Sequence, residues 1–199
     1  MPAEVLSYFL KHEDIRLKLR FQIVLQCAPF LKGKKVSCGI TMEDSMYDEL
    51  HNILSGSGIS YRRLSAAEGR CLVLFYREKE LSEYVNRVGI RSFIREFGYI
   101  EMELDEMLER LSCRTALFSR EEIGYPHEIG IFFGYPVEDV QGFIRNAGRE
   151  YLFLGYWKVY SNPMAAKMIF KEYDQAKVCA VNEFLTGKSI KDIARNKED

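Results

Sequence analysis

The sequence lacks a surplus of charge of either sign. Its 28 lysines and arginines stand against 29 aspartates and glutamates, a net charge of -1. Proteins that hold nucleic acid or an anionic membrane through a field of basic residues need a surplus that this chain does not have. The local runs (Arg16, Lys18 and Arg20; Lys32, Lys34 and Lys35; an acidic run over 101–109) read as solvated helix faces. The aromatic residues lie inside apolar segments and are not interleaved with a basic stripe, which again excludes a nucleic-acid partner. Long apolar runs are missing too. No segment reaches the roughly 20 residues of a membrane span, and MPAEVLSYFLKHED has no apolar signal core. The expectation is a cytoplasmic protein with no membrane partner.

Histidine is scarce. His12, His51 and His127 are the full set, and none falls in an H-x-x-x-H or H-E-x-x-H pattern. No metal ligands are therefore assigned, although His127, Glu128 and a cysteine would form a mixed set if they converged. The 5 cysteines (Cys27, Cys38, Cys71, Cys113, Cys179) are odd in number and contain no C-x-x-C pair. Most sit in apolar runs, as reduced core thiols do in a reducing compartment. Ser55-Gly-Ser-Gly58 lacks the G-K-[ST] ending of a phosphate loop and reads as a turn. No repeat or linker divides the chain, so 1–199 is expected to be a single domain, with 187–199 a charged tail.

What is present is an ordinary globular composition, 47% hydrophobic and 29% charged. A short helix is expected over 3–11. Asp14 caps a second over 15–28, whose Leu17, Phe21, Val24 and Cys27 share a face and which Pro29 and Gly33 end. The alternation of 35–41 predicts a strand. Asp44 or Ser45 caps a helix with Met46, Leu50, Ile53 and Leu54 inward. Residues 59–65 and the near-continuously apolar 71–76 predict a hairpin, the latter buried on both sides. Short helices follow near 79–87 and 90–97, then a stronger one over 101–113. The segment 114–122 is either strand or loop. Pro126 opens a short helix ending at Gly134, with a buried strand as the competing reading. Pro136 opens another, with Val137, Val140, Phe143 and Ile144 inward and Gly148 as its stop. Residues 151–160 read as a strand, and Asn162 caps a long helix from Pro163 to about Leu185. The predicted fold is mixed α/β: a small mixed sheet of about four strands (35–41, 59–65, 71–76, 151–159) flanked by helices.

Four segments together carry a resemblance: CAPFLKG (27–33), LVLFYRE (72–78), YPHEIGIFFGYPVEDVQGFI (125–144) and GYWKVY (155–160). They resemble the bacterial family called domain of unknown function 3793 (DUF3793), over about 27–174. PHEIG, GYPxEDV and GYWKVY in that order are its specific phrases. The resemblance implies a cytosolic, single-domain protein and supplies no catalytic roles.

Residue chemistry singles out two patches in 125–160. His127 beside Glu128 offers an imidazole that titrates near neutrality. As a general base it would pair with a thiol, Cys27 or Cys113, with Glu128 or Asp139 orienting the ring. His127, Glu128 and Cys27 are thus the catalytic candidates; in the alternative reading His127 only caps a helix or bonds within the core. Glu138 and Asp139 suit the first turn of the helix after Pro136. If GYWKVY is a strand, Tyr156, Lys158 and Tyr160 share one face and Trp157 and Val159 the other. The tyrosine–lysine face could line a groove for an anionic ligand. The ligand-binding candidates are Tyr125, Tyr135, Trp157, Lys158 and Tyr160, with His127 beside them. The expected function is a small-molecule or cofactor-binding, regulatory or interaction domain. The alternative is a hydrolase or transferase with His127 as base and a cysteine as nucleophile. The sequence names no cofactor, and a protein partner stays open beside a small-molecule ligand.

Overall fold

A computed structural model of the chain describes residues 7–9, 11–119 and 124–194. Of the expected helix over 3–11, residues 7–9 are helical and most of the remainder lies outside the described residues. Asp14 caps α1 (Ile15–Leu31), its carboxylate accepting from the backbone N–H of Arg16 and Leu17. The helix runs past Pro29 to Leu31, because a proline obstructs only the turn before it. Strand β1 (Ser37–Glu43) leads through a short 3-10 turn (Asp44–Met46) into α2 (Glu49–Leu54).

Strands β2 (Ser60–Ala67) and β3 (Arg70–Tyr76) form the expected hairpin. Its two loop residues, Glu68 and Gly69, both have positive φ (51° and 72°), the twist a tight hairpin requires. The sheet order is β1-β3-β2, antiparallel throughout, so β3 is central as its apolar run predicts. Cys71, Val73 and Phe75 enter one core layer with α1, α2 and the second half of α8 (Pro163–Leu185). Leu74 and Tyr76 enter the layer on the other face. There they meet α3 (Glu78–Val85), α4 (Val88–Arg95), α5 (Leu104–Ser119), α6 (Ile129–Phe132) and α7 (Val137–Arg145). TALF belongs to α5 and not to a strand, and Thr115 turns its hydroxyl onto the Leu111 carbonyl (3.0 Å) and the Leu64 carbonyl of β2 (2.5 Å).

The expected fourth strand of the sheet is absent among the described residues, and the predicted mixed sheet is replaced by two antiparallel ones. Residues 151–159 instead fold on themselves as β4 (Phe153–Leu154) and β5 (Lys158–Val159). Gly155 is the reason. Its N–H bonds the Trp157 carbonyl at 3.1 Å and reverses the chain. A Cβ there would lie 2.1 Å from the Phe170 ring, so only glycine lets the hairpin sit this close to α8. Trp157 and Val159 pack with Ala166, Phe170 and Tyr173 in a third cluster, separate from the main sheet. Asn162 caps α8 as expected, its side chain accepting from Ala165 N–H. Of the predicted charged tail 187–199, residues 187–194 are described: Ser189 and Asp192 cap α9 (Ile190–Ile193), and Ile190 and Ile193 are buried in the layer with α1 and α8.

Candidate functional site

The site is built where α6, α7 and the β4–β5 hairpin converge. Residues 125–130 turn tightly: Ile129 N–H bonds the Pro126 carbonyl (3.0 Å) and Gly130 N–H bonds the His127 carbonyl (3.2 Å). Neighbouring residues in a helical turn point about 100° apart, and here this separates His127 from Glu128. Glu128 is fully buried and accepts from Arg114 Nε (2.5 Å), Arg114 Nη2 (3.5 Å) and the Tyr99 hydroxyl (3.2 Å). Burial, and then the Glu128 charge, hold the Tyr99 phenol far above its usual range, so it stays a neutral donor. Glu128 therefore anchors α6 to α5 and does not orient His127.

His127 points the other way. Its ring lies 5.2 Å from both Tyr125 and Phe143. Among the described residues, neither ring nitrogen has a hydrogen-bond partner. It lines a cavity of about 330 Å³ together with Tyr125, Tyr135, Phe143, Trp157 and Lys158, closed by Ile129, Gly130, Phe133, Asp139, Val140 and Leu154. Gly130 permits the close approach of the wall, since a Cβ there would lie 2.9 Å from Val140. Tyr135 and Trp157 form a tilted pair, with centroids 5.5 Å apart and planes at 31°. Burial pushes the Tyr135 phenol up to about 12. Tyr125 and Leu154 are exposed at the rim.

The wall is held by Asp139, 3% exposed. Oδ2 accepts from Trp157 Nε1 at 2.6 Å. Oδ1 accepts from Tyr160 N–H (2.8 Å), Ser161 N–H (2.8 Å) and the Ser161 hydroxyl (3.1 Å). Three donors crowd Oδ1 and one meets Oδ2. Asp139 thus clamps α7 to the hairpin, and His127 is not among its partners. Lys158 Nζ donates to the Gly148 carbonyl (2.8 Å) and lies 5.5 Å from the Phe143 centroid and 5.0 Å from that of Tyr151. No carboxylate pairs with it among the described residues.

Five of the predicted ligand-site residues, Tyr125, His127, Tyr135, Trp157 and Lys158, meet around one cavity. Tyr160 does not line it; its ring packs on Gly142, where a Cβ would lie 2.5 Å away. Tyr156 also leaves the expected face, because it sits in the hairpin turn and bonds Asp174 of α8 at 2.8 Å. The predicted Cys27 partner is not brought to His127. Cys27 is completely buried in the layer containing α1, beside Cys38, and burial raises its thiol well above the usual range. Cys113 is exposed on α5 next to Glu109. Among the described residues no thiol lines the cavity. Among the described residues, no group of three or more His, Cys, Asp and Glu side chains stands close enough to hold a metal ion. Sequence reasoning missed Phe133, Phe143, Val140 and Leu154 as cavity walls. Two of them, Val140 and Phe143, were legible as the inward face of a helix, but not as facing a void.

The family model for "Protein of unknown function (DUF3793)" matches residues 23–194. The chain belongs to the DUF3793 family. No curated protein and no solved structure matches it. In this DUF3793 protein the three phrases of the resemblance build one structure: PHEIG supplies His127 and the cavity floor, and GYPxEDV supplies Tyr135 and Asp139. GYWKVY supplies Trp157, which Asp139 holds, and Lys158. Among the described residues no helix is long and apolar enough to cross a membrane.

Proposed function

We propose that this DUF3793 protein binds a small molecule in the aromatic cavity between α6, α7 and the β4–β5 hairpin. One observation carries the reading: the cavity walls are mainly rings and aliphatic groups, and the few polar side chains among them include His127, Lys158, Tyr125 and Tyr135. A mostly apolar concavity with a few convergent polar groups is the usual form of a small-molecule site. At about 330 Å³ it suits a ligand at the small end of that class. Five reduced cysteines, three of them buried, support a reducing cytoplasm as its place of action.

The test is a thermal-shift screen of the full chain against nucleotides, cofactors and aromatic metabolites. Hits are followed by the fluorescence of Trp157, the only tryptophan and a cavity wall. A ligand of the native state raises the midpoint by mass action. Leu154→Glu places a charge at the exposed mouth and should weaken a true hit by about tenfold. A hit that leaves Trp157 unchanged and binds Leu154→Glu equally well lies elsewhere and ends the proposal.

A further inference from the structure

The polar groups around the cavity are unevenly supplied. Asp139, the carboxylate in the wall among the described residues, already holds four donors, three on Oδ1 and the Trp157 indole N–H on Oδ2. The cations are not saturated. Lys158 gives one hydrogen bond to a carbonyl and has no carboxylate partner among the described residues. Lys35, behind Tyr135, lies with Nζ 5.0 Å from that ring centroid and also has no carboxylate partner among the described residues. Both side chains sit near cavity rings, Lys35 over Tyr135 and Lys158 over Phe143. His127 adds an imidazole with no partner among the described residues, and Tyr135 adds a neutral phenol. The Lys158 ammonium is therefore the lining cation with no counter-charge among the described residues, whereas the Asp139 charge is spread over four donors. Glu128 contributes little, since Arg114 neutralises it.

We infer that the cavity selects a planar aromatic anion: a ring system between Tyr135, Trp157 and Phe143, with its carboxylate at Lys158 and His127. This rests on the ligand-binding reading above and adds the charge of the ligand to it. A neutral aromatic molecule would find the same rings but leave Lys158 without a counter-charge. An aromatic ammonium would meet the like charge of Lys158 and, among the described residues, an Asp139 carboxylate that already holds four donors.

The probes are 2-naphthoate, 2-naphthylmethanol and 2-naphthylmethylammonium, which share one ring system and differ in charge. Each is titrated calorimetrically into the full chain at low ionic strength. The expected order is naphthoate tightest by about tenfold over the alcohol, equivalent to about 1.4 kcal/mol, with the ammonium weakest. Lys158→Met should cut the naphthoate preference to roughly threefold or less, whereas Lys158→Arg, which keeps the charge, should retain most of it. Near-UV circular dichroism of Trp157 verifies that both variants keep the hairpin in place. If the alcohol or the ammonium binds as tightly as naphthoate, the charge assignment is wrong while the cavity remains a ligand site. An undiminished preference in Lys158→Met likewise overturns the assignment to Lys158. If none of the three binds at roughly millimolar concentration, both the charge assignment and the ligand-binding reading fall.

Discussion

Replacing Asp139 by asparagine tests the clamp on which the cavity depends. The substitution keeps volume and shape. The amide oxygen can take the place of Oδ1 and still accept from Tyr160 N–H, Ser161 N–H and the Ser161 hydroxyl. The amide nitrogen then replaces Oδ2, 2.6 Å from Trp157 Nε1, and two donors face each other. Hydrogen bonds to a charged group contribute about 1.5–3 kcal/mol, and an orphaned buried donor costs about 1–3 kcal/mol. Losing one such bond, orphaning the indole N–H and weakening the other three by loss of charge gives an expected cost of about 3 kcal/mol. Urea denaturation followed by far-UV circular dichroism measures it, and an unchanged m-value shows that the change is one of stability. The decisive quantity is the coupling with Trp157→Phe, which removes the N–H. In the double variant the donor–donor contact is gone, so the two costs should fall short of additivity by about 1.5 kcal/mol. If Asp139→Asn is within about 0.5 kcal/mol of the parent, or the two changes simply add, then Asp139 does not hold the hairpin through Trp157.

Two further outcomes follow from the electrostatics. Arg114→Met strands the fully buried Glu128 carboxylate and should cost about 3 kcal/mol, most of it recovered when Glu128→Gln is added. Equal urea midpoints for the single and double variants would refute the buried ion pair. Glu183 is half-buried; burial alone would raise its carboxyl, but the hydrogen bonds and charges of Lys32 and Lys188 outweigh this and hold it below the usual carboxylate range. A carboxyl depressed in the folded state gives stability that is present above its unfolded pKa of about 4.3 and is lost as pH falls through the lower folded value. Glu183→Gln should therefore flatten the acid side of the stability–pH profile and leave its neutral-to-alkaline shape alone. Parallel acid limbs for the two proteins would show that the lysines do not act on Glu183 as described.

Much of the local structure was legible because short-range physics decides it. Asp14 and Asn162 cap helices through their own carboxylate and amide oxygens, and β3 declares its central position by carrying apolar residues on both faces. The hairpin turn is marked in the sequence by Gly69, which tolerates positive φ, while Glu68 takes the same region in spite of its side chain. The predicted fourth strand failed because alternation in GYWKVY is real only on one arm. Gly155 reverses the chain, and the Phe170 ring beneath it makes that reversal favourable. That partner lies on another helix, so no local pattern could reveal it. The cysteine–histidine pairing failed for a similar reason: the sheet separates the layer that buries Cys27 from the layer to which α6 contributes.

The sequence by itself determined most of the helices, the Asp14 and Asn162 caps, the central strand, and the list from which the site is drawn: Tyr125, His127, Tyr135, Trp157 and Lys158. Tertiary structure alone decided which of these share a cavity, that Glu128 faces Arg114, and that Tyr160 is spent on Gly142. It also turned Asp139 from a helix-dipole residue into the acceptor that fixes Trp157. The division has a physical basis. Caps, turns and alternation depend on atoms a few residues apart. A cavity and its charge balance depend on which side chains have already spent their hydrogen bonds on distant partners, and only the folded chain settles that.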